Sequence, residues 1–224
     1  MPETPGFLPR FWWSGPPFPR QVSQSGPNAV TLATDALRAG EVVALPTDTV
    51  YGLAALPTIP RATDRLFALK GRAADAPIAV LCADAAQALG LAAPAALTDD
   101  VRRIAGRLWP GPLTLVLPRL PGLGYELGEP ADTIGVRCPD YALVRSIAAA
   151  AGPIATTSAN RHREPTPPTA EGVAATFGAG LGLVLDGGRC GAPPSTVVAV
   201  TGAAWKLLRE GPIPLAEVTA AARP

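Results

Sequence analysis

The chain has 224 residues, 48% of them hydrophobic and 5% aromatic, with 19 Lys plus Arg against 18 Asp plus Glu and a formal charge of +1. That length and Ala-rich texture fit one globular α/β domain and exclude a disordered polyelectrolyte. The balanced charge supplies no whole-molecule field toward nucleic acid or a membrane surface, so any polyanion must meet a local site.

Residues 1–28 interleave Pro2, Pro5, Pro9, Pro16, Pro17, Pro19 and Pro27 with Phe7, Phe11, Trp12, Trp13 and Phe18. The prolines bar a continuous helix and the rings are costly to leave in water. This stretch therefore reads as an arm packed on the body or on a partner, a homodimer being one such arrangement. A single domain is expected over 29–224. Its first helix covers 29–39 and is closed by Gly40, and a short buried strand at 41–45 ends at Pro46. The next ten residues begin with Thr47-Asp48-Thr49-Val50-Tyr51-Gly52, a hydroxyl-rich, glycine-ended turn that reads as a binding loop.

Pro60 opens a second helix, which carries Leu66, Phe67 and Leu69 and finishes at Lys70-Gly71-Arg72. A strand at 78–82 precedes a helix at 99–108, started by Thr98 and Asp99 and placing Val101, Ile104, Ala105 and Leu108 on one face. Further strands are predicted at 113–117, 133–137, 153–156, 181–185 and 195–200, and helices at 141–151 and 169–176. Strands alternate with helices in places and follow one another directly elsewhere. The pattern implies an α/β fold with a twisted, mixed parallel and antiparallel open sheet covered by helices.

Polar clusters recur just after these strands, where open α/β sheets build their sites: Thr47 to Thr49, Thr133 with Arg137, Thr156 to Asn160, and Ser195-Thr196. Hydroxyls in such places serve equally as caps and turn formers. Lys70 and Arg72 flank a glycine and suit phosphate or carboxylate, although a solvated helix C-terminus accounts for two cations as well. Neither GxxxxGKS/T nor GxGxxG occurs, which excludes a P-loop or dinucleotide fingerprint. Cys82, Cys138 and Cys190 lack CxxC spacing and His162 is the single histidine, so neither a structural zinc site nor a Ser-His-Asp triad is expected. No apolar run approaches the ~20 residues of a membrane span, and no signal-peptide layout opens the chain, so a cytoplasmic location is expected.

Taken in order, Pro46-Thr-Asp-Thr-Val-Tyr-Gly-Leu53, Lys70-Gly-Arg72, Trp109-Pro-Gly-Pro-Leu-Thr114, Gly135-Val-Arg137, Thr157-Ser-Ala-Asn160, Leu185-Asp-Gly-Gly188, Ser195-Thr-Val-Val198 and Leu208-Arg-Glu-Gly211 resemble the YrdC-type threonylcarbamoyl-AMP synthases. The resemblance covers residues 28–212 and is to the short, single-domain form, with a YrdC-like three-layer fold. It implies an enzyme that joins L-threonine, bicarbonate or CO2, and ATP with Mg2+ into L-threonylcarbamoyl-AMP and pyrophosphate. A downstream tRNA threonylcarbamoyl transferase complex would then modify the adenosine beside the anticodon.

By the same resemblance, Lys70 and Arg72 are the catalytic cations on the ATP phosphates. Thr133, Ser158, Asn160, Thr166 and Arg209 serve the nucleotide. Arg137 takes the threonine carboxylate, and Thr47, Thr49, Tyr51, Thr156 and Ser195 surround the amino acid. No protein-held metal is implied. Ala73, Ala76 and Leu81 stand where the family commonly has Pro, Asn and His, which removes one threonine contact and one nucleotide contact. The alternative within the same fold is a non-catalytic double-stranded-RNA-binding or ribosome-maturation paralogue, with weak tRNA or duplex binding. Carbamoyl transfer from carbamoyl phosphate is a third reading.

Overall fold

The computed structural model describes residues 19–71, 77–201 and 204–224. The aromatic cluster at 7–18, and with it Arg72, Ala73 and Ala76, lies outside the described residues. In chain order the elements are β1 (Arg20–Ser23), α1 (Ala29–Arg38), β2 (Val43–Leu45), β3 (Gly52–Ala55), α2 (Ala62–Lys70), β4 (Ala79–Leu81), α3 (Ala85–Leu89), α4 (Asp99–Leu108) and β5 (Leu113–Pro118). They continue with β6 (Thr133–Arg137), α5 (Ala142–Ala151), β7 (Ile154–Ser158), α6 (Ala170–Phe177), β8 (Leu183–Asp186), β9 (Thr196–Thr201), β10 (Ala204–Arg209) and α7 (Leu215–Ala222).

The strands form a ten-stranded sheet in the order β1-β8-β2-β3-β7-β4-β6-β5-β9-β10. Parallel pairs (β1 with β8, β8 with β2, β4 with β6, β5 with β9) are mixed with antiparallel ones, as the sequence predicts. Side chains alternate between two cores, because successive residues of a strand point to opposite faces. Val43, Leu45, Ala54, Leu81, Ile154, Leu183 and Leu185 pack with α1 and α5 on one face. Ala44, Leu53, Val80, Ala155 and Val184 turn to the other, beneath residues of α2, α4, α6 and α7.

Cover on the first face is incomplete. Helices α1 and α5 pack on each other and reach β8, β2 and β4, but neither is among the elements that contact β6, β5, β9 or β10 substantially. On that half of the sheet, Thr114 and Val116 of β5 and Thr133, Gly135 and Arg137 of β6 face a cavity. Their neighbours Leu113, Leu115, Leu117, Ile134 and Val136 fill the opposite core.

Local rules explain most boundaries. Thr98 accepts a hydrogen bond from the Val101 N–H at 3.3 Å and starts α4; Thr169 does the same for Gly172 and α6. Gly71 ends α2 with φ 61°, a left-handed conformation that favours glycine. Five elements differ from the sequence reading, one of them the short helix α3, which the sequence reading leaves out. Gly52–Ala55 leaves the predicted loop to pair antiparallel with β2, so the binding loop is the 46–51 connection of a hairpin. Arg20–Ser23, inside the proline-rich stretch, pairs parallel with β8. Strand β10 has an irregular register that breaks the two-residue period, and helix α7, half of it Ala, is too uniformly apolar to announce a face.

The two cores should respond alike to cavity creation. Leu37→Ala in α1 and Ile104→Ala in α4, both fully buried, are each expected to lower stability by about 2–5 kcal/mol in urea unfolding.

Candidate active site

The cavity over β6, β5 and β9 has a volume of about 480 Å³. Among its described lining residues the only charged side chains are Arg137 and Arg209. Hydroxyls of Thr47, Thr49, Thr114, Thr133, Thr156, Ser158 and Ser195 make up most of the remaining polar wall.

One wall is the 46–51 loop. The Thr47 hydroxyl donates to the Val50 carbonyl at 2.7 Å and accepts the Thr49 N–H at 3.1 Å, closing a tight hydroxyl-stabilised turn. Having given its proton to Val50, the Thr47 oxygen must accept the Thr49 hydroxyl, 3.0 Å away. Thr49 in turn accepts Arg137 Nη1 at 3.2 Å. The turn places the Asp48 carboxylate 2.5 Å from Arg137 Nη2, and Arg137 Nε donates to the Gly111 carbonyl at 3.1 Å. A guanidinium has five N–H groups; these bonds use three and leave one on each terminal nitrogen, a pair suited to a carboxylate. Burial pulls the Arg137 pKa down, and the Asp48 charge opposes that shift.

Tyr51 is fully buried and serves as a pin. Its hydroxyl donates to the Gly188 carbonyl at 2.8 Å and accepts the Gly187 N–H at 3.1 Å, tying the 46–51 loop to the turn after β8. Gly187 leaves room for this turn, since a Cβ there would lie 2.3 Å from the Tyr141 hydroxyl.

The solvated-end reading of Lys70 is overturned, because the residue is only 4% exposed. Its ammonium donates to the Ser158 carbonyl at 2.6 Å, to Ser158 Oγ at 3.0 Å and to Asn160 Oδ1 at 2.7 Å. Asn160 also accepts Ser158 Oγ at 2.6 Å and donates to the carbonyls of Arg161 and Glu164, which shapes the following loop. Thr166 joins Asn160 at 3.4 Å. Lys70, Asn160 and Thr166 thus stand together behind Ser158, which lines the cavity, and Arg72 lies outside the described residues.

At the opposite wall a register shift between Leu207 and Arg209 turns Arg209 inward. Arg209 donates to the Ser195 carbonyl and to Ser195 Oγ, both at 2.9 Å, and Thr114 Oγ1 lies 2.9 Å from that same hydroxyl. The Thr156 hydroxyl is 3.0 Å from the Leu53 carbonyl. His162 is exposed. Asp48 and Thr114, which the motif reading passes over, are the additions the structure makes; both lie inside the quoted motifs, and charge in an otherwise hydroxyl-rich loop was the available signal for Asp48.

Burial raises the Tyr51 pKa from 10.0 to about 12, the Gly187 N–H partly offsetting it. The neutral phenol is the form the fold favours, so its contribution is complete below pH 10.0 and is lost as the pH climbs through about 12. Tyr51→Phe leaves two backbone groups unpaired, at an expected cost of about 1–3 kcal/mol, and should lose this share of the alkaline destabilisation in denaturation series run at rising pH.

The family model for Sua5, YciO and YrdC, described as "Telomere recombination", matches residues 35–211. A threonylcarbamoyl-AMP synthase of Pyrococcus abyssi is 38% identical over 192 residues, which is 84% of this chain and 56% of that protein. That of Bacillus subtilis is 35% identical over 207 residues, 91% of this chain and 59% of its own. The crystal structure of P. abyssi Sua5 complexed with L-threonine superposes with a TM-score of 0.82 at 34% identity, covering 90% of this chain and 60% of that one. The chain therefore spans little more than half the length of these relatives. Because the match runs from α1 to the end of the β10 arginine motif and so takes in every wall of the cavity, this chain belongs to the Sua5/YciO/YrdC family.

Proposed function

We propose that this protein is an L-threonylcarbamoyl-AMP synthase, using L-threonine, bicarbonate or CO2, and ATP, and releasing pyrophosphate. The observation that carries the reading is Arg137. It is a buried guanidinium with two N–H groups left for a ligand, in a hydroxyl-lined cavity of a chain 34% identical to a Sua5 solved with L-threonine.

The chemistry asks mainly for position and charge neutralisation. Threonine binds as the zwitterion; its ammonium gives a proton to solvent, and the resulting neutral amine adds to CO2, forming an N–C bond and releasing a second proton to solvent to give a carbamate. A carbamate oxygen then attacks the α-phosphorus of ATP while the bond to pyrophosphate breaks. Arg137 holds the threonine carboxylate, with Thr47, Thr49, Thr156 and Ser195 around the amino acid and Tyr51 keeping their loop in place. Lys70, fixed by Ser158 and Asn160, and Arg72 neutralise phosphate charge; Thr133, Thr166 and Arg209 serve the nucleotide. Mg2+ bound with ATP as part of the substrate would add charge neutralisation on the phosphates. Among the described residues no group of three or more His, Cys, Asp or Glu is arranged to hold a metal itself.

The product would pass to a tRNA threonylcarbamoyl transferase complex in the cytoplasm. No helix among the described residues is long and apolar enough to cross a membrane. The formal charge of +1 favours this reading over the RNA-binding paralogue, which needs a concave basic surface.

The deciding assay is pyrophosphate release from Mg-ATP and bicarbonate, with and without L-threonine and with serine as control. Release should require both threonine and bicarbonate, and its absence from folded protein would reject the synthase. Lys70→Ala should lower turnover about a hundredfold, the scale of losing one transition-state charge contact. Arg137→Lys keeps the charge but loses the planar fork, so KM for threonine should rise about tenfold while that for ATP stays within about twofold.

A further inference from the structure

The cavity presents two guanidiniums and, among its described lining residues, no carboxylate. They are close enough to interact, since the charge of Arg137 adds to burial in depressing the Arg209 pKa. Asp48 does not line the cavity; it stands behind Arg137, 2.5 Å from Nη2, with side-chain exposures of 13% and 6% for the two residues. Its Oδ2 is buried with no hydrogen-bond partner among the described residues. The negative charge of Asp48 is therefore directed at Arg137 and spread over no other donor.

A guanidinium fork takes phosphate as readily as carboxylate. If the cavity holds an amino acid beside a nucleotide triphosphate, an uncompensated Arg137 would be a second phosphate site on the wrong side. A carboxylate directly behind it changes the balance. An amino acid zwitterion carries no net charge and can still use the two remaining N–H groups, whereas a polyphosphate on the same groups faces the buried Asp48 charge at short range, where water screens little.

We propose that Asp48 is a specificity-determining residue. By neutralising Arg137 it reserves that guanidinium for the carboxylate of a zwitterionic amino acid and turns away the phosphates of the nucleotide, which are left to the Lys70 end and Arg209. This rests on the synthase reading above, because it presumes both ligands in one cavity. It differs from a purely structural role for the ion pair, which would affect folding and leave ligand discrimination unchanged.

The test is calorimetric titration of wild type and Asp48→Asn with inorganic pyrophosphate and with L-threonine. Asparagine keeps the volume and an acceptor oxygen for Nη2 while removing the charge. In wild type, pyrophosphate and threonine should bind without competing. In Asp48→Asn, a further pyrophosphate should bind and the apparent Kd for threonine should rise about tenfold in saturating pyrophosphate. Replacing the guanidinium as well, in Asp48→Asn/Arg137→Gln, should abolish the further site. An unchanged pyrophosphate stoichiometry in Asp48→Asn would overturn the proposal, as would a further site that survives loss of Arg137. Should Asp48→Asn fail to fold, Asp48→Ser carries the same comparison. If wild type binds no threonine, the amino acid reading fails separately, while the pyrophosphate stoichiometries still decide whether Asp48 shields Arg137 from phosphate.

Discussion

The site exists because helical cover on one face of the sheet stops short. Helices α1 and α5 bury the strands from β8 to β4 on that face, and the pleat continues with side chains that have no helix to meet. A strand cannot choose which face its next residue occupies. Leu113, Leu115 and Leu117 are thus committed to the opposite core, and Thr114 and Val116 to the cavity. The same alternation brings Thr133, Gly135 and Arg137 to one surface and sets Gly135 where a side chain would lie 3.5 Å from Thr114. Packing of the far core and shaping of the cavity are therefore one requirement.

Burying cations in that setting is expensive, and each has a different compensation. Lys70 donates to carbonyl, hydroxyl and amide oxygens at and just after the end of β7. Arg137 meets a carboxylate at 2.5 Å, so its charge is cancelled while part of its donor set remains open. Arg209 uses the carbonyl and hydroxyl of Ser195 and keeps its charge. Among the described lining residues the cavity consequently has a neutralised guanidinium near the 46–51 loop and a positive one at Arg209. This polarity follows from one carboxylate, and a buried charge of that kind matters more than any exposed ion pair because solvent screens it so little.

The regular elements were legible where two signals coincided. The sequence reading and the structure agree on 99–108 for α4, where a Thr98 cap precedes an amphipathic run. They agree on 133–137 for β6 as well. Strand β3 was missed because Gly52-Leu53-Ala54-Ala55 carries no β-branched residue; its partners β2 and β7 make it a strand. Strand β10 has an irregular register that breaks the two-residue period just before Arg209, and α7 is too uniformly apolar to show a face. The motifs located most of the cavity lining, yet the residues alone left Lys70 open between a ligand site and a solvated helix end, because its acceptors lie 88 and 90 residues away in the chain.

By itself the sequence determined the fold class, through local periodicity, caps and turn chemistry, and through its ordered resemblance to a family it named the residue types that face the site. Only the tertiary structure decided what each polar group does. That Tyr51 pins a glycine turn, that Lys70 is buried, and that Asp48 cancels Arg137 all depend on partners brought together by strand order. Hydrogen bonds and ion pairs act over a few ångströms, so their meaning is set by which strands become neighbours, and local sequence does not encode that adjacency.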